Sequence, residues 1–558
     1  MKFSDMPYSR VDASEFEASV STLMQELDSA PDGAAAFAVH EKFYKLHDKM
    51  MTMMTLAEIR HDIDMKDPVY EAEQDFYDAQ GPVFRNLVTD YGRKLFASPY
   101  RGFLTEKIGP VAFKNVELAM RAMNEELIPL CKEENELTTR YGKLLATAEI
   151  DWHGEKLNLS LMNPYLHSAD RAVRKEAWEK YVALFTANED ELDEIYDRLI
   201  KNRTAQGRKM GYDTYVPLGY DRMNRNSYGR SEIEEFRKQV KTDWVPFAEK
   251  IHEARRVRLG LDRLSYIDEG VSFLNGNPKP VGTPEEILAA GGRMYGKLSP
   301  ETAEFYHFMR ENELFDVLGR KTKRVGGYMT FLPDYNAPFI FANFNGTSGD
   351  VDVITHECGH AFQGYLAAKD PIREHMDITM ETAEIHSMSM EFFTEPWMEM
   401  FFGERADDYR KMHFEDAAVF IPYGTMVDEF QHIVYDDPGL TPKARKATWR
   451  DLEKQYKPHL NYDGCPYYEA GGFWQKQHHI YDLPFYYIDY CLAQTCALEY
   501  KNWMDRDYQE AWQSYLKLCN LSASDFYGGL LKKAGLEIPF EDGCLAHLAR
   551  GLEEKLLG

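Results

Sequence analysis

The sequence predicts a mainly α-helical fold with two small β-structures. Apolar residues recur at helical spacing through most of the 558 residues, and this spacing is typical of amphipathic helices. Alternating patterns, which indicate strands, are confined to residues 147–159 and 326–344. No internal repeat or strongly polar linker interrupts the chain. We therefore expect one large helical body in two lobes, with residues 1–195 as an N-terminal helical region and residues 196–558 as the second region.

Helix-start signals organise the first half of the chain. Asp12 precedes a helical pattern as an N-cap residue, and Asp32-Gly33 marks a break before the next helical segment. Residues 68–97 and 111–131 continue the helical spacing. A Gly-containing turn, His153-Gly154, separates two alternating segments and predicts a β-hairpin. After it, Ser168-Ala169-Asp170 opens a long helix, and helices dominate to about residue 260.

The second half contains the other β-signal. Helices are predicted at 284–297 and 300–317, followed by short strands at 326–333 and 338–344. The second strand leads directly into a helix near residue 350, for which Asp350 is a candidate cap. From there to residue 558 the pattern is mostly helical.

Composition excludes several classes of protein. The formal net charge of −27 argues against a nucleic-acid partner. The sequence has no run of about 18 apolar residues, so we expect no membrane span, and its first residues lack the apolar core of a signal peptide. Seven cysteines without a C-x-x-C pair fit a reducing compartment. We therefore expect a cytoplasmic location, whereas the oligomeric state stays open.

A short motif near residue 356 carries the first chemical signal. His356-Glu357-Cys358-Gly359-His360 reads H-E-x-x-H. In a helix the two histidines lie one turn apart on one face, where they can hold Zn²⁺, and Glu357 can then reach a water molecule. An ordinary helix with two packed or solvated histidines has the same pattern. Cys358 points to another face and is interpreted as a packed thiol.

A catalytic zinc site needs a third protein ligand. Glu381, Glu384 and Glu391 share one face of the next predicted helix, among apolar residues. Carboxylates are costly to bury there unless they are paired or bind a metal. A solvated acidic stripe is the alternative interpretation. His375 and His386 are alternative ligands, although His386 lies off that face.

Residues 469–490 are rich in aromatic side chains and contain adjacent histidines, His478 and His479. Tyr487 and Tyr490 are spaced to share a helix face. Hydroxyl and imidazole N–H groups can stabilise the oxyanion that forms when water attacks a peptide carbonyl. An aromatic core would show the same composition.

The motif 356–360, followed by Glu384-Ile385-His386-Ser387 with Glu391 seven residues after Glu384, resembles the M3 metallopeptidases, in particular their oligoendopeptidase F and Pz-peptidase branch. Gly326-Gly327-Tyr328 and the strand 338–343 are also similar to that branch. Cys358 stands where Phe is frequent in the family, and Ile385-His386 replaces smaller residues. Neither difference removes a metal ligand.

The resemblance implies a two-lobed helical metallopeptidase with a deep substrate channel and a small sheet beside the H-E-x-x-H helix. One Zn²⁺ per chain would be held by His356, His360 and Glu384. Glu357 would be the general base, and Tyr487, Tyr490 and either His478 or His479 would stabilise the oxyanion. Residues 196–558 would then form the catalytic region.

The implied activity is endopeptidase cleavage of short peptides, with folded proteins excluded by the channel. A dipeptidyl carboxypeptidase-type exopeptidase and a non-catalytic peptide-binding protein are the alternatives. Glu381 is a candidate second-shell acceptor for a ligand imidazole. The strand near 338–345 offers an edge for a peptide backbone, which makes a substrate-binding group of Tyr328, Ala342, Asn343 and Phe344. A plain structural hairpin is the alternative.

Overall fold

The computed structural model describes residues 1–557, and most of them are helical, as predicted. The side chain of Asp12 accepts a hydrogen bond from the first turn of α1, which confirms its predicted cap. Asp32, predicted only as a break between two helical segments, caps α2 in the same way. The predicted hairpin is present, with Ile150 paired to Leu157. The elements of this half are α1 Ala13–Asp28, α2 Gly33–Ile63, α3 Pro68–Ala97, α4 Arg101–Ala122, α5 Ile128–Ala146, β1 Ile150–Trp152, β2 Glu155–Leu157, α6 Leu159–Leu166, α7 Arg171–Ala187 and α8 Glu189–Lys209.

Two large apolar clusters form the interior. Helices α1 to α4 enclose one of them, which includes Phe16, Phe43, Phe84 and Tyr91. The other extends through the rest of the chain and also takes in Leu192 and Leu199 of α8. The division expected after residue 195 falls inside α8, which is a continuous helix, so the chain has no structural break at that position.

The central segment contains the three-stranded sheet. Strand β3 pairs in parallel with β5, and β4 pairs antiparallel with β5, so β5 lies in the middle. The helix predicted over 300–317 is too long, because α13 ends at Glu311 and residues 315–318 form β3. The elements are α9 Val216–Arg222, α10 Arg230–Gln239, α11 Val245–Arg258, α12 Pro284–Leu298, α13 Pro300–Glu311, β3 Phe315–Leu318, β4 Tyr328–Leu332 and β5 Ala337–Phe344.

The last segment provides the helices that position the site. Helix α15 packs between α14 and α21, and α14 lies against β5. Within residues 1–557, no helix combines the length and the apolar character needed to cross a membrane. The helices are α14 Gly349–Ala367, α15 Met380–Phe393, α16 Glu399–Phe402, α17 Ala406–Asp436, α18 Pro442–Tyr456, α19 Pro466–Glu469, α20 His478–Asp482, α21 Tyr487–Met504, α22 Tyr508–Leu521, α23 Tyr527–Ala534 and α24 Cys544–Leu557.

Asp350 does not cap α14, which corrects the sequence interpretation. The helix begins at Gly349, so Asp350 already lies in its first turn. Its carboxylate accepts hydrogen bonds from the backbone N–H groups of Asn345 and Gly346, at 2.8 Å each. Asp350 therefore fixes the loop between β5 and α14, which sets how the strand leads into the helix.

Gly359 marks the closest approach of α14 to α15. A Cβ atom at this position would lie 2.6 Å from the carbonyl oxygen of His386 and 2.6 Å from the Cα of Ser387. Because both contacts are backbone atoms, Gly359→Ala must push the two helices apart. We expect the free energy of unfolding to fall by about 1–3 kcal/mol, seen as a lower melting midpoint. Gly296→Ala in α12, where a Cβ meets nothing within 4 Å, is the matched control and should not lower the midpoint; equal losses would contradict the packing argument.

Candidate metal centre and active site

Helices α14 and α15 bring three potential ligands together. His356 and His360 lie one turn apart on α14, and Glu384 lies on α15. The Oε2 atom of Glu384 is 3.3 Å from the Nε2 atoms of both His356 and His360. The candidate ligand atoms of all three residues lie within 4.8 Å of one another. The structure thus assembles the ligand set expected from the sequence.

The spacing of these atoms can be compared with that of a tetrahedral site. With metal–ligand bonds of about 2.0–2.1 Å, neighbouring tetrahedral ligands lie about 3.3 Å apart. Both distances from Glu384 Oε2 have this value. Two imidazole nitrogens and one carboxylate oxygen are donors that Zn²⁺ accepts, with one position left for water. The residues present therefore fit a catalytic zinc site.

Two hydroxyl groups fix the Glu384 carboxylate. The Tyr486 hydroxyl donates to Oε1 at 2.5 Å, and the Ser387 hydroxyl donates to Oε2 at 2.8 Å. Burial disfavours the charged form of Glu384, but the two histidines outweigh it and hold its pKa well below the ordinary value. Glu384 is therefore an oriented anion. Sequence reasoning missed Tyr486, although it stands beside Tyr487 in the aromatic stretch.

Glu391 orients His356 from its other side. The Nδ1 atom of His356 lies 2.6 Å from Glu391 Oε1, and Glu391 Oε2 lies 2.5 Å from His413 Nε2. Burial raises the pKa of Glu391, but its bonds to His356 and His413 outweigh this and lower the pKa to about 2. An ionised Glu391 accepts a hydrogen bond from the Nδ1–H group of His356, which leaves Nε2 free to bind a metal.

Glu381 does not have the second-shell role expected from the sequence. Its Oε1 accepts a hydrogen bond from the Thr379 hydroxyl at 2.6 Å, and it contacts neither ligand histidine. The helices run antiparallel, because Gly359 lies against His386 while His356 lies against Glu391. This register places Glu381 beyond His360.

Removing the charge of Glu391 should weaken metal binding. We expect Glu391→Gln to lower zinc affinity by about 10–100-fold, because the amide no longer fixes the His356 tautomer. Competition with a fluorescent chelator measures this affinity. Glu381→Gln is the matched control on the same helix. Burial and the neighbouring Asp489 raise the pKa of Glu381 above neutrality, so its side chain is already protonated and Gln is a close mimic. A larger loss in the control than in Glu391→Gln would reverse the assignment.

The general-base candidate, Glu357, follows His356 on α14 and is buried with only 8% exposure. Burial raises its pKa above the ordinary value, while His356 and His360 oppose this rise. A carboxylate with a raised pKa is a stronger base, as proton abstraction near neutral pH requires. Cys358 is fully buried, in agreement with its predicted packing role. The alternative ligands lie elsewhere, since His386 contacts Cys519 and His375 contacts Asp370.

The two adjacent histidines occupy different positions. The ring of His479 contacts those of Tyr486, Tyr487 and Tyr490, with centroid distances of 5.7, 5.1 and 5.8 Å. Burial lowers the pKa of His479 to about 3, and it lowers that of His478 to about 4. Both imidazoles are therefore neutral at neutral pH. The structure brings His479, rather than His478, against the tyrosine cluster.

Tyr487 and Tyr490 lie together on α21, as predicted, with ring centroids 5.5 Å apart, but their hydroxyl groups have different surroundings. The Tyr487 hydroxyl donates to the side-chain oxygen of Gln477 at 3.1 Å. The ring of Tyr490 packs on that of Tyr486, 4.7 Å between centroids. The charges of Glu384 and Glu357 contribute to raising the pKa of Tyr490 well above its ordinary value, after burial as the largest cause. Tyr490 thus borders the metal-ligand cluster, while Tyr487 is held by Gln477.

The strand expected to bind a peptide backbone lies in the middle of the sheet. Strand β5 pairs with β4 from Ala337 to Phe341 and with β3 from Ile340 to Phe344. The Asn343 side chain donates to the backbone carbonyl groups of Arg324 and Gly326. Ala342 is fully buried. The ladder with β4 ends at Phe341, so the edge-pairing prediction for Ala342, Asn343 and Phe344 stays a prediction.

Tyr328 lies on β4, which is an outer strand of the sheet. Its hydroxyl donates to Asp62 of α2 at 2.9 Å, and Arg324 pairs with the same carboxylate at 3.2 Å. The N-terminal helices are therefore attached to the sheet at this point. Of the four residues predicted to bind substrate, Tyr328 is the one that lies on an outer strand.

Comparisons with known proteins identify the family of this chain. Residues 3–123 match the family model of the peptidase M3 N-terminal domain, and residues 303–550 match that of peptidase family M3. A solved structure named as an oligoendopeptidase F is 45% identical over 100% of this chain and 98% of its own, with a TM-score of 0.98. The chain belongs to peptidase family M3.

Two further M3 structures are similar over the full length. PZ peptidase A, solved with an inhibitor, is 44% identical, with a TM-score of 0.98 and coverage of 100% of this chain and 99% of that one. A Bacillus anthracis str. Ames protein named as an oligoendopeptidase F is 40% identical, with a TM-score of 0.93 and coverage of 100% and 98%. No curated protein matches the sequence. The chain is a peptide hydrolase of the oligoendopeptidase F and Pz-peptidase branch of the M3 family.

Proposed function

We propose that this M3 peptidase is a zinc-dependent endopeptidase that cleaves internal bonds of short peptides and excludes folded proteins. The observation that carries the proposal is the convergence of His356, His360 and Glu384 at tetrahedral ligand spacing, with Glu357 on the same helix. The relatives named oligoendopeptidase F favour internal cleavage. The seven free thiols support a reducing, cytoplasmic location.

The proposed chemistry assigns a separate task to each group. When bound, Zn²⁺ would lower the pKa of a water molecule and polarise the scissile carbonyl. Glu357 accepts the proton of the attacking water and transfers it to the leaving amine. Glu391 keeps His356 in the ligating tautomer, and Tyr486 holds the Glu384 carboxylate in place.

Neutral hydrogen-bond donors complete the proposed site. Tyr490 packs on Tyr486, whose hydroxyl donates to Glu384, and its raised pKa keeps the Tyr490 hydroxyl protonated. His479 is an uncharged imidazole beside it. Both groups can donate to the oxyanion as it forms, which stabilises the transition state more than the substrate. We assign the oxyanion role to Tyr490 with His479.

Metal removal and product mapping test the proposed function. Chelation should abolish cleavage of a peptide blocked at both termini, and stoichiometric Zn²⁺ should restore it, because the ligand set alone supplies no Lewis acid. Mass spectrometry should then show internal cuts, while a folded protein of known stability stays intact. Release of C-terminal dipeptides only, from unblocked peptides, would instead identify an exopeptidase. Full activity after complete metal removal would contradict the zinc mechanism.

A further inference from the structure

A second group of metal-ligand side chains lies outside the proposed active site. Glu249 and His252 are one turn apart on α11, and His459 lies in the connection between α18 and α19. One ligand atom from each residue falls within 4.8 Å of the other two. The ligand atoms of His356, His360 and Glu384 lie within the same distance of one another, and the two groups share no residue.

The contacts of His459 are those of a ligand histidine. Its Nδ1 atom lies 2.6 Å from Glu249 Oε1, and its Nε2 atom lies 2.8 Å from Glu269 Oε1. In metal sites the second ring nitrogen of a histidine commonly bonds a carboxylate, which fixes the ring and its tautomer. Lys457 lies 2.8 Å from the other oxygen of Glu269 and holds this carboxylate in place. Glu269 is thus positioned as the orienting partner.

His252 supplies a nitrogen with no other use. Its side chain is buried, at 6% exposure, and its Nδ1 atom has no hydrogen-bond partner. A buried polar atom without a partner is costly in a protein. This imidazole nitrogen is available to bind a metal ion.

The surroundings provide space and leave one carboxylate for a cation. A cavity of about 400 Å³ is bordered by Glu249, His252 and His459. Each arginine on its wall already has a carboxylate partner. The pairs are Arg256–Glu253, Arg263–Asp463 and Arg450–Glu469. The cavity therefore has little free positive charge to bind an anion, whereas Glu249 faces only His459.

We propose that Glu249, His252 and His459 form a second binding site for a divalent transition-metal ion of the Zn²⁺ class. Two imidazoles and one carboxylate suit this class better than Mg²⁺ or Ca²⁺, which prefer oxygen ligands. The two rings stack at 3.5 Å with an angle of 21°, so binding requires His252 to tilt. The Glu249 carboxylate, whose side chain is 33% exposed, moves outward into the cavity.

The position of the site indicates what a bound ion would do. The ion would join α11 to the connection after α18, which contains His459. Through the bond between His459 and Glu269 it would also join the connection after α11. These two connections already share a backbone bond from Tyr266 N to Asn461 O of 2.9 Å. An ion that binds the folded chain and not the unfolded chain raises stability by mass action. The site is therefore assigned a structural role, separate from hydrolysis.

The metal content of the tag-free, full-length protein tests this assignment. After equilibration with buffered Zn²⁺, we expect about two ions per chain in the wild type and about one in His360→Ala, which disrupts only the catalytic cluster. Glu249→Gln should also bind about one ion and retain its peptidase activity. The double variant, which combines His360→Ala with Glu249→Gln, should bind no zinc. Retention of zinc by His360→Ala also separates this site from the fate of the proposed function.

Glu253→Gln is the matched control, because Glu253 lies one turn from Glu249 on α11 and pairs with Arg256. It should bind as much zinc as the wild type. Added Zn²⁺ should raise the melting midpoint of His360→Ala and leave that of the double variant unchanged. Glu249→Gln is chosen because the Glu249 side chain is partly exposed, so the substitution should leave the fold intact. Zinc content in Glu249→Gln equal to that of the wild type, or none in His360→Ala, would overturn the proposal.

Discussion

Glu357→Gln is expected to lower kcat for a quenched fluorescent peptide by about 10²–10⁴-fold, the usual contribution of a general acid–base group. Glutamine keeps the size of the side chain but cannot accept the proton of water. None of the three ligand atoms changes, so zinc content should stay the same. Stopped or continuous fluorescence assays give kcat, and elemental analysis of the same sample gives the metal.

Asp352→Asn is the matched control for this change. Asp352 is another carboxyl group of α14, half-buried, and it accepts a hydrogen bond from Tyr409 at 2.5 Å. Because it does not contact the ligand cluster, its amide variant should retain most of the activity. Near-normal kcat in Glu357→Gln would remove Glu357 as the base. Loss of zinc in Glu357→Gln would show that the substitution acts on the metal site instead.

The sequence predicted the histidine pair because its geometry is local, whereas the resemblance to the M3 family supplied Glu384. A four-residue spacing places His356 and His360 on one helix face whatever packs against it. The choice between Glu381 and Glu391 was different, since both share a face with Glu384. Only the antiparallel register of α14 and α15, set by the close approach at Gly359, places Glu391 beside His356. Contacts between helices are not encoded in the spacing along one helix.

The tyrosine block shows a second limit of periodicity. The helical pattern correctly pairs Tyr487 with Tyr490, which lie together on α21. It gives no position for Tyr486, because α21 begins only at Tyr487. The chain turns at Phe485, whose φ is +69°, and Tyr486 lies before the first helical residue. Its hydroxyl consequently reaches Glu384 from a direction that helix spacing does not describe. A positive φ at a non-glycine residue leaves no clear signal in a single sequence.

The fold itself was predictable where signals were local, as at the Asp12 cap and at the 150–157 hairpin. Strand β3 was misread as the end of a helix. It is four residues long, and its partner in the sheet, β5, begins about twenty residues later. A parallel pairing of this kind depends on contacts between distant residues. The same pairing occupies one side of β5 at Ile340, Phe341 and Phe344.

Three tyrosine-to-phenylalanine variants separate the roles that the structure gives to neighbouring rings. We expect Tyr490→Phe to lower kcat by about 10²–10³-fold with zinc retained, which is the usual loss when one oxyanion donor is removed. Tyr487→Phe breaks only its bond to Gln477 and should change kcat far less. Steady-state kinetics with the same peptide, together with metal analysis, compares the two variants directly.

Tyr486→Phe should give a third pattern, because its hydroxyl donates to the metal ligand Glu384 and not to substrate. We expect zinc affinity to fall, and excess Zn²⁺ to recover most of the activity that is lost at limiting metal. Excess metal cannot restore an oxyanion donor, so the same addition should leave Tyr490→Phe impaired. If Zn²⁺ rescues Tyr490→Phe, or if Tyr487→Phe shows the largest loss in kcat, the oxyanion role belongs to a different ring. The rescue experiment thus distinguishes a side chain that orients a ligand from one that contacts the reacting carbonyl.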